Sequence, residues 1–188
     1  ITAVWRDKQV QLCFFAWKER NYFFMGSDSL FFIIIAICLI MSAYFSATET
    51  AFLSLNRIRM KNMADKGNKR AALVLELEEK YDNLLSTILI GNNIVNIATA
   101  SIGTVLFVRH YGDAGATVST VVVTVVVLIF GEISPKSIAK DCAEQWAMLS
   151  APMLQVLIWI FTPLNAIFSF WKKLLAKVFR PVSYTHLR

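Results

Sequence analysis

A chain of 188 residues that is 56% hydrophobic and 17% charged, with formal charge +6 and mean hydropathy +0.54, lies outside the balance of a soluble domain, which is roughly 45–50% apolar and ~25% charged. Four stretches contain no Asp, Glu, Lys or Arg: 29–48, 84–108, 114–131 and 145–171, of 20, 25, 18 and 27 residues. At a rise of ~1.5 Å per residue, each can cross or lie within a ~30 Å hydrocarbon layer as a helix. The pieces between them are too short for an extramembrane catalytic domain. No basic stripe interleaved with aromatics points to nucleic acid. Cys13, Cys38 and Cys142 are far apart, form no CxxC, and read as small apolar fillers.

In chain order, residues 1–24 carry Arg6, Lys8, Lys18 and Arg20 among aromatics and read as an extraneous or upstream segment ahead of Met25; 181–188, "PVSYTHLR", reads as an extraneous tail. The core is then 25–180. Its first segment, 29 to about 52, predicts a spanning helix without Gly or Pro. The connector 56–80 holds Arg57, Arg59, Lys61, Lys66, Lys69 and Arg70, with Gly67-Asn68 as a turn between two short helices. The positive-inside rule makes it cytoplasmic. The second segment, 84–108, runs outward to a short loop at 109–113. The third, 114–133, returns; its Val-rich run favours strand by propensity, but a lone strand leaves its backbone unsatisfied in lipid, so helix is expected.

The fourth stretch holds Pro152 and Pro163 and is followed by Lys172, Lys173, Lys177 and Arg180. A full crossing places that basic cluster outside. Two short helices lying as a belt along the inner leaflet keep both flanks inside. The fold expected is an all-α membrane protein with three transmembrane helices, a cytoplasmic short-helix pair and a juxtamembrane belt; four crossings is the alternative. Trp146, Trp159 and Trp171 are candidate interface anchors.

Polar groups at lipid depth are costly and usually serve a pathway. Ser42 and Ser46 lie four apart on one helix face, with Glu49 a turn further on. Asn92 and Asn96 repeat that spacing beside Gly91, which permits close helix approach. Glu132 sits in Gly131-Glu132-Ile133-Ser134-Pro135-Lys136, where Pro135 denies the Gly131 carbonyl its α-helical donor. Hydroxyl, amide, carbonyl and carboxylate oxygens are the hard donors that suit Mg²⁺, Ca²⁺ or Na⁺ rather than Zn²⁺. Plainer readings stay open: serines bonded to their own i−4 carbonyls, asparagines joining helices, Glu132 paired with Lys136, and Glu49 solvated at the edge. A nucleophilic Ser–His pair is lacking, since His110 falls in the outer loop and His186 in the tail, and a Ser–Lys dyad would need Lys136 to reach a membrane serine; no enzyme is expected.

The motifs "SAYFSATETAFLSLNRIRM", "GNNIVN" and "GEISPK", in this order, resemble the transmembrane domain of the CNNM/CorC family, cyclin M-like and hemolysin-like magnesium transporters, over about 29–179. The resemblance implies a homodimer in the lipid bilayer of the inner (plasma) membrane, moving Mg²⁺ outward in exchange for Na⁺. It implies Ser42, Ser46, an Asn of the second motif (Asn92 or Asn96), the Gly131 carbonyl and Glu132 as the ion site, with Glu49 second to these. Family members continue into cystathionine-β-synthase (CBS) modules that bind ATP; this chain contains none, so ATP enters only through those missing modules. The alternatives carried forward are a non-transporting Mg²⁺ sensor or scaffold that regulates another channel, and a Co²⁺ or other divalent-cation resistance protein.

Overall fold

Helix is the only regular structure among the described residues, as expected where lipid leaves no water to satisfy a backbone. The structure is a computed structural model that describes residues 2–178, with side chains described for 28–164, Ile167 and Trp171. The expected tail at 181–188 and the side chains of 1–24 lie outside the described residues.

The elements are α1 (Thr2–Ser54), α2 (Arg57–Asp65), α3 (Lys69–Glu79), α4 (Tyr81–Tyr111), a 3₁₀ turn (Gly112–Ala114), α5 (Gly115–Val126), a π-helical segment (Val127–Ile133), α6 (Ser134–Asp141) and α7 (Ala143–Val178). Three stretches are long and apolar enough to cross a membrane: Asp28–Ser54, Tyr81–Asp141 and Ala143–Leu164. The second, 61 residues long, contains the turn at Gly112, whose φ of +61° is the left-handed value glycine accepts without strain. Side chains after the turn meet side chains before it in antiparallel order, Ser119 against Thr104 and Glu132 against Asn96, so this stretch is a hairpin. The second and third expected segments are its two arms.

Two features differ from the sequence expectation. The outer loop expected at 109–113 is mostly helix, because α4 continues to Tyr111 and leaves three residues for the turn. The fourth stretch, expected as two short helices, is a single 36-residue helix, α7, that runs through Pro152 and Pro163. A membrane helix tolerates proline better than one in water, since neighbours can re-satisfy the freed carbonyls.

The described residues divide into two units with boundaries at Ala43, Asn93 and Ile133. In the unit formed by 94–133 with the first part of α1, the described buried positions are few and, Leu106 apart, small: Ser42, Thr99, Gly103, Leu106, Gly115, Ser119 and Gly131. Its large apolar residues, such as Ile33, Ile37, Ile40, Val121 and Phe130, are exposed, which is the pattern of helices whose solvent is hydrocarbon. Gly103 lets the arms approach: a Cβ there would lie 2.7 Å from a Val123 methyl.

The other unit has the larger core. Phe45, Ala51 and Phe52 of α1 are buried together with Leu84 and Ile88 of α4 and Ala143, Ala147, Ala151 and Leu154 of α7. Alanine at every fourth position gives α7 a smooth face for close packing. α2 and α3 bury Met60, Ala71, Val74 and Leu77, and α3 packs on α7. Asn56 and Asn68 cap the two short helices, Asn68 accepting from the Arg70 and Ala71 amides, and Gly67 turns between them at φ +90°.

Candidate cation site

Within the first unit, Ser42, Asn96, Gly131 and Glu132 come together. Ser42 Oγ donates to Asn96 Oδ1 at 2.7 Å, and Asn96 Nδ2 donates to Glu132 Oε1 at 3.3 Å. The hydrogens therefore run along the chain toward the carboxylate. Ser42 is fully buried; Asn96, at the middle of α4, and Glu132, just past the end of the charge-free run 114–131, are half-buried.

Backbone geometry brings these residues together. Gly131 lies against Ser42: an added Cβ would sit 2.8 Å from the Ser42 hydroxyl oxygen and 3.3 Å from its Cβ. Only glycine gives α1 this approach. The π-helical segment Val127–Ile133 contains both Gly131 and Glu132. It falls where Pro135 has no N–H for the Gly131 carbonyl, so the α pattern is interrupted there and the wider turn takes its place. The π turn was not expected from the sequence; the missing donor at Pro135 was its available signal.

Ser46 and Asn92 belong to the second unit. Ser46 is fully buried, and its hydroxyl has no hydrogen-bond partner among the described residues. Asn92 is half-buried on α4. In the same unit the Phe45 ring occupies the space where Gly91 would carry a Cβ, which explains the glycine beside the asparagines. Lys136 Nζ pairs with Glu49 Oε2 at 3.0 Å, so the cation of "GEISPK" serves Glu49, and Glu132 takes its bond from Asn96. Trp146, expected as an interface anchor, is half-buried and donates its indole N–H to Thr48 Oγ1 at 3.1 Å. Trp159 and Trp171 are exposed.

Composition and periodicity did not reveal a cluster at the hairpin end of the first unit. Arg109 Nη1 meets Asp28 Oδ1 at 2.8 Å, His110 Nε2 lies 3.5 Å from Asp28 Oδ2, and the Arg109 guanidinium stands 5.3 Å from the centre of the Phe31 ring. Charges closing two apolar runs at the same membrane face were its signal.

Long lipid-exposed helices around an internal hydroxyl–amide–carboxylate chain define a polytopic membrane protein with a polar site inside its helices. The chain belongs to the CNNM family: the model of the cyclin M transmembrane N-terminal domain matches residues 33–186. It is 45% identical over 150 residues to a UPF0053 protein of Haemophilus influenzae, covering 80% of this chain and 36% of that protein. It is 46% identical over 124 residues to the UPF0053 inner membrane protein YfjD of Escherichia coli K12, covering 66% and 29%. A chloroplastic DUF21 domain-containing protein of Arabidopsis thaliana is 31% identical over 138 residues, 73% of this chain and 21% of that one. The chain thus spans about a third or less of the length of these curated relatives.

Proposed function

We propose that this domain carries Mg²⁺ out of the cell across the inner membrane in exchange for Na⁺, as a homodimer, and that it is a transporter rather than an enzyme. The observation that carries the reading is the chain from Ser42 through Asn96 to Glu132, packed against Gly131. Its donors are hard oxygens around one carboxylate, the set that holds a cation which dehydrates reluctantly. Glu132 supplies the charge. Ser42 and Asn96 orient it and offer neutral oxygens in place of water, and the Gly131 carbonyl adds a backbone oxygen at the π turn. The family and the relative named as an inner membrane protein support the location. In this reading α2 and α3 face the cytoplasm and α7 lies along the inner leaflet as a belt. The π turn and Gly131 form the hinge at which the ion passes from one side to the other.

The test is reconstitution. Purified protein in Mg²⁺-loaded liposomes with an imposed Na⁺ gradient is expected to release Mg²⁺, and Glu132→Ala and Ser42→Ala to abolish release while leaving the oligomer intact. Release by both variants at the wild-type rate overturns the site. Wild-type protein that binds Mg²⁺ but moves none establishes the sensor reading instead, and stronger competition by Co²⁺ than by Na⁺ or Ca²⁺ favours the resistance reading.

A further inference from the structure

A cavity of about 280 Å³ opens between the arms of the hairpin in the first unit. Asn96 and Glu132 line one end; beyond them it is lined by Thr104, Ser119, Thr120 and Thr124, with valines between. It runs from the middle of the helices toward the turn at Gly112, since Thr104 and Ser119 lie nearer that turn than Asn96 and Glu132 do.

The hydroxyl hydrogens are accounted for. Thr104 Oγ1 donates to the Ala100 carbonyl at 2.9 Å and Thr120 Oγ1 to the Ala116 carbonyl at 2.9 Å. Because the single hydrogen of Thr104 is used there, Ser119 must be the donor in its 3.4 Å contact with Thr104. A threonine that gives its hydrogen to the preceding turn is the ordinary economy of a membrane helix. Its consequence here is that the oxygens of Thr104 and Thr120 act as acceptors only toward any third group. Ser119 is fully buried and lines the cavity.

We propose that the Thr104–Ser119 pair and Thr120 form a second, transient station for the cation on its way from Glu132 to the Gly112 side of the membrane, holding it through its hydration waters. The proposal rests on the transport reading above. Neutral hydroxyls suit such a station: they accept from the waters of a partly hydrated ion but hold it weakly, as a path rather than a trap requires. The charge of Glu132 at one end and its absence at the other set the order of binding and release.

The experiment uses the full chain in liposomes and measures Mg²⁺ release alongside equilibrium Mg²⁺ binding to detergent-purified protein. The variants are Thr104→Val with Ser119→Ala, which remove the hydroxyls with little change of shape, and Thr104→Ser, which keeps one. The double variant is expected to bind Mg²⁺ with wild-type affinity yet release it about tenfold more slowly, a barrier increase of about 1.4 kcal/mol, and Thr104→Ser to retain wild-type release. Wild-type release by the double variant, or slow release by Thr104→Ser as well, overturns the station and leaves the Glu132 site standing. Loss of Mg²⁺ binding in the double variant shows that these hydroxyls belong to the first site and likewise overturns it. Absence of release from wild-type protein overturns the transport reading and the station with it.

Discussion

The Asn96 amide stands between a hydroxyl and a carboxylate, accepting from Ser42 at 2.7 Å and giving a hydrogen to Glu132 at 3.3 Å. An amide accepts through its oxygen and donates through its nitrogen, so it can do both at once, and its orientation is fixed by its two partners. Asn96→Asp replaces the donor with a second carboxylate beside Glu132. The variant is expected to be less stable than wild type without Mg²⁺ and to gain more from it, because a divalent cation relieves the repulsion. Thermal unfolding of the purified protein across a Mg²⁺ titration measures this. An equal Mg²⁺ response in the two proteins removes the cation from this position.

Gly131→Ala places a methyl 2.8 Å from the Ser42 oxygen. Overpacking of this kind costs about 1–3 kcal/mol, and the expected result is a lower unfolding temperature together with loss of Mg²⁺ binding. Ser42→Gly in the same chain removes the opposing atoms and should recover most of the stability but not the binding, since the hydroxyl is gone. A double-mutant cycle on unfolding separates the two effects.

Asp28 and Arg109 are 16% and 25% exposed, between a surface pair and a buried one. Removing either charge is expected to lower stability by about 1–3 kcal/mol. Exchanging the two residues, Asp28→Arg with Arg109→Asp, should restore part of that loss. Because the Phe31 ring beside Arg109 favours a cation at that position, the exchange should fall short of wild type. Full additivity of the two single losses in the exchanged protein shows that the pair contributes nothing.

Glu49 is held by Lys136 at 3.0 Å, and the Lys136 side chain is 42% exposed. With Glu49 itself 20% exposed, Glu49→Gln is expected to cost about 1 kcal/mol and to leave Mg²⁺ affinity unchanged. A large loss of affinity in isothermal titration would return Glu49 to the list of ligands.

Much of the architecture was legible from the residues in order. The charge-free stretches mark the apolar runs, Gly67-Asn68 marks the turn between α2 and α3, and lipid excludes a strand at Val121–Val127 whatever the propensity of valine. The ends of α4 and the continuity of α7 were not, because a proline or a charge near a helix end states a local preference that packing can override. α7 passes through Pro152 and Pro163 with its alanine face against the core of its unit.

The sequence by itself determined that this is a helical membrane protein and which oxygens are available to a cation, since composition and spacing act through solvation and helix period alone. Only the tertiary structure decided which of those oxygens meet: Asn96, with Ser42 and Glu132, and Lys136 with Glu49 rather than Glu132. Partner choice depends on the rotation and approach of whole helices. Here these are set by Gly131 against Ser42 and by the π turn ahead of Pro135, distances of a few ångströms that the one-dimensional order of residues does not encode.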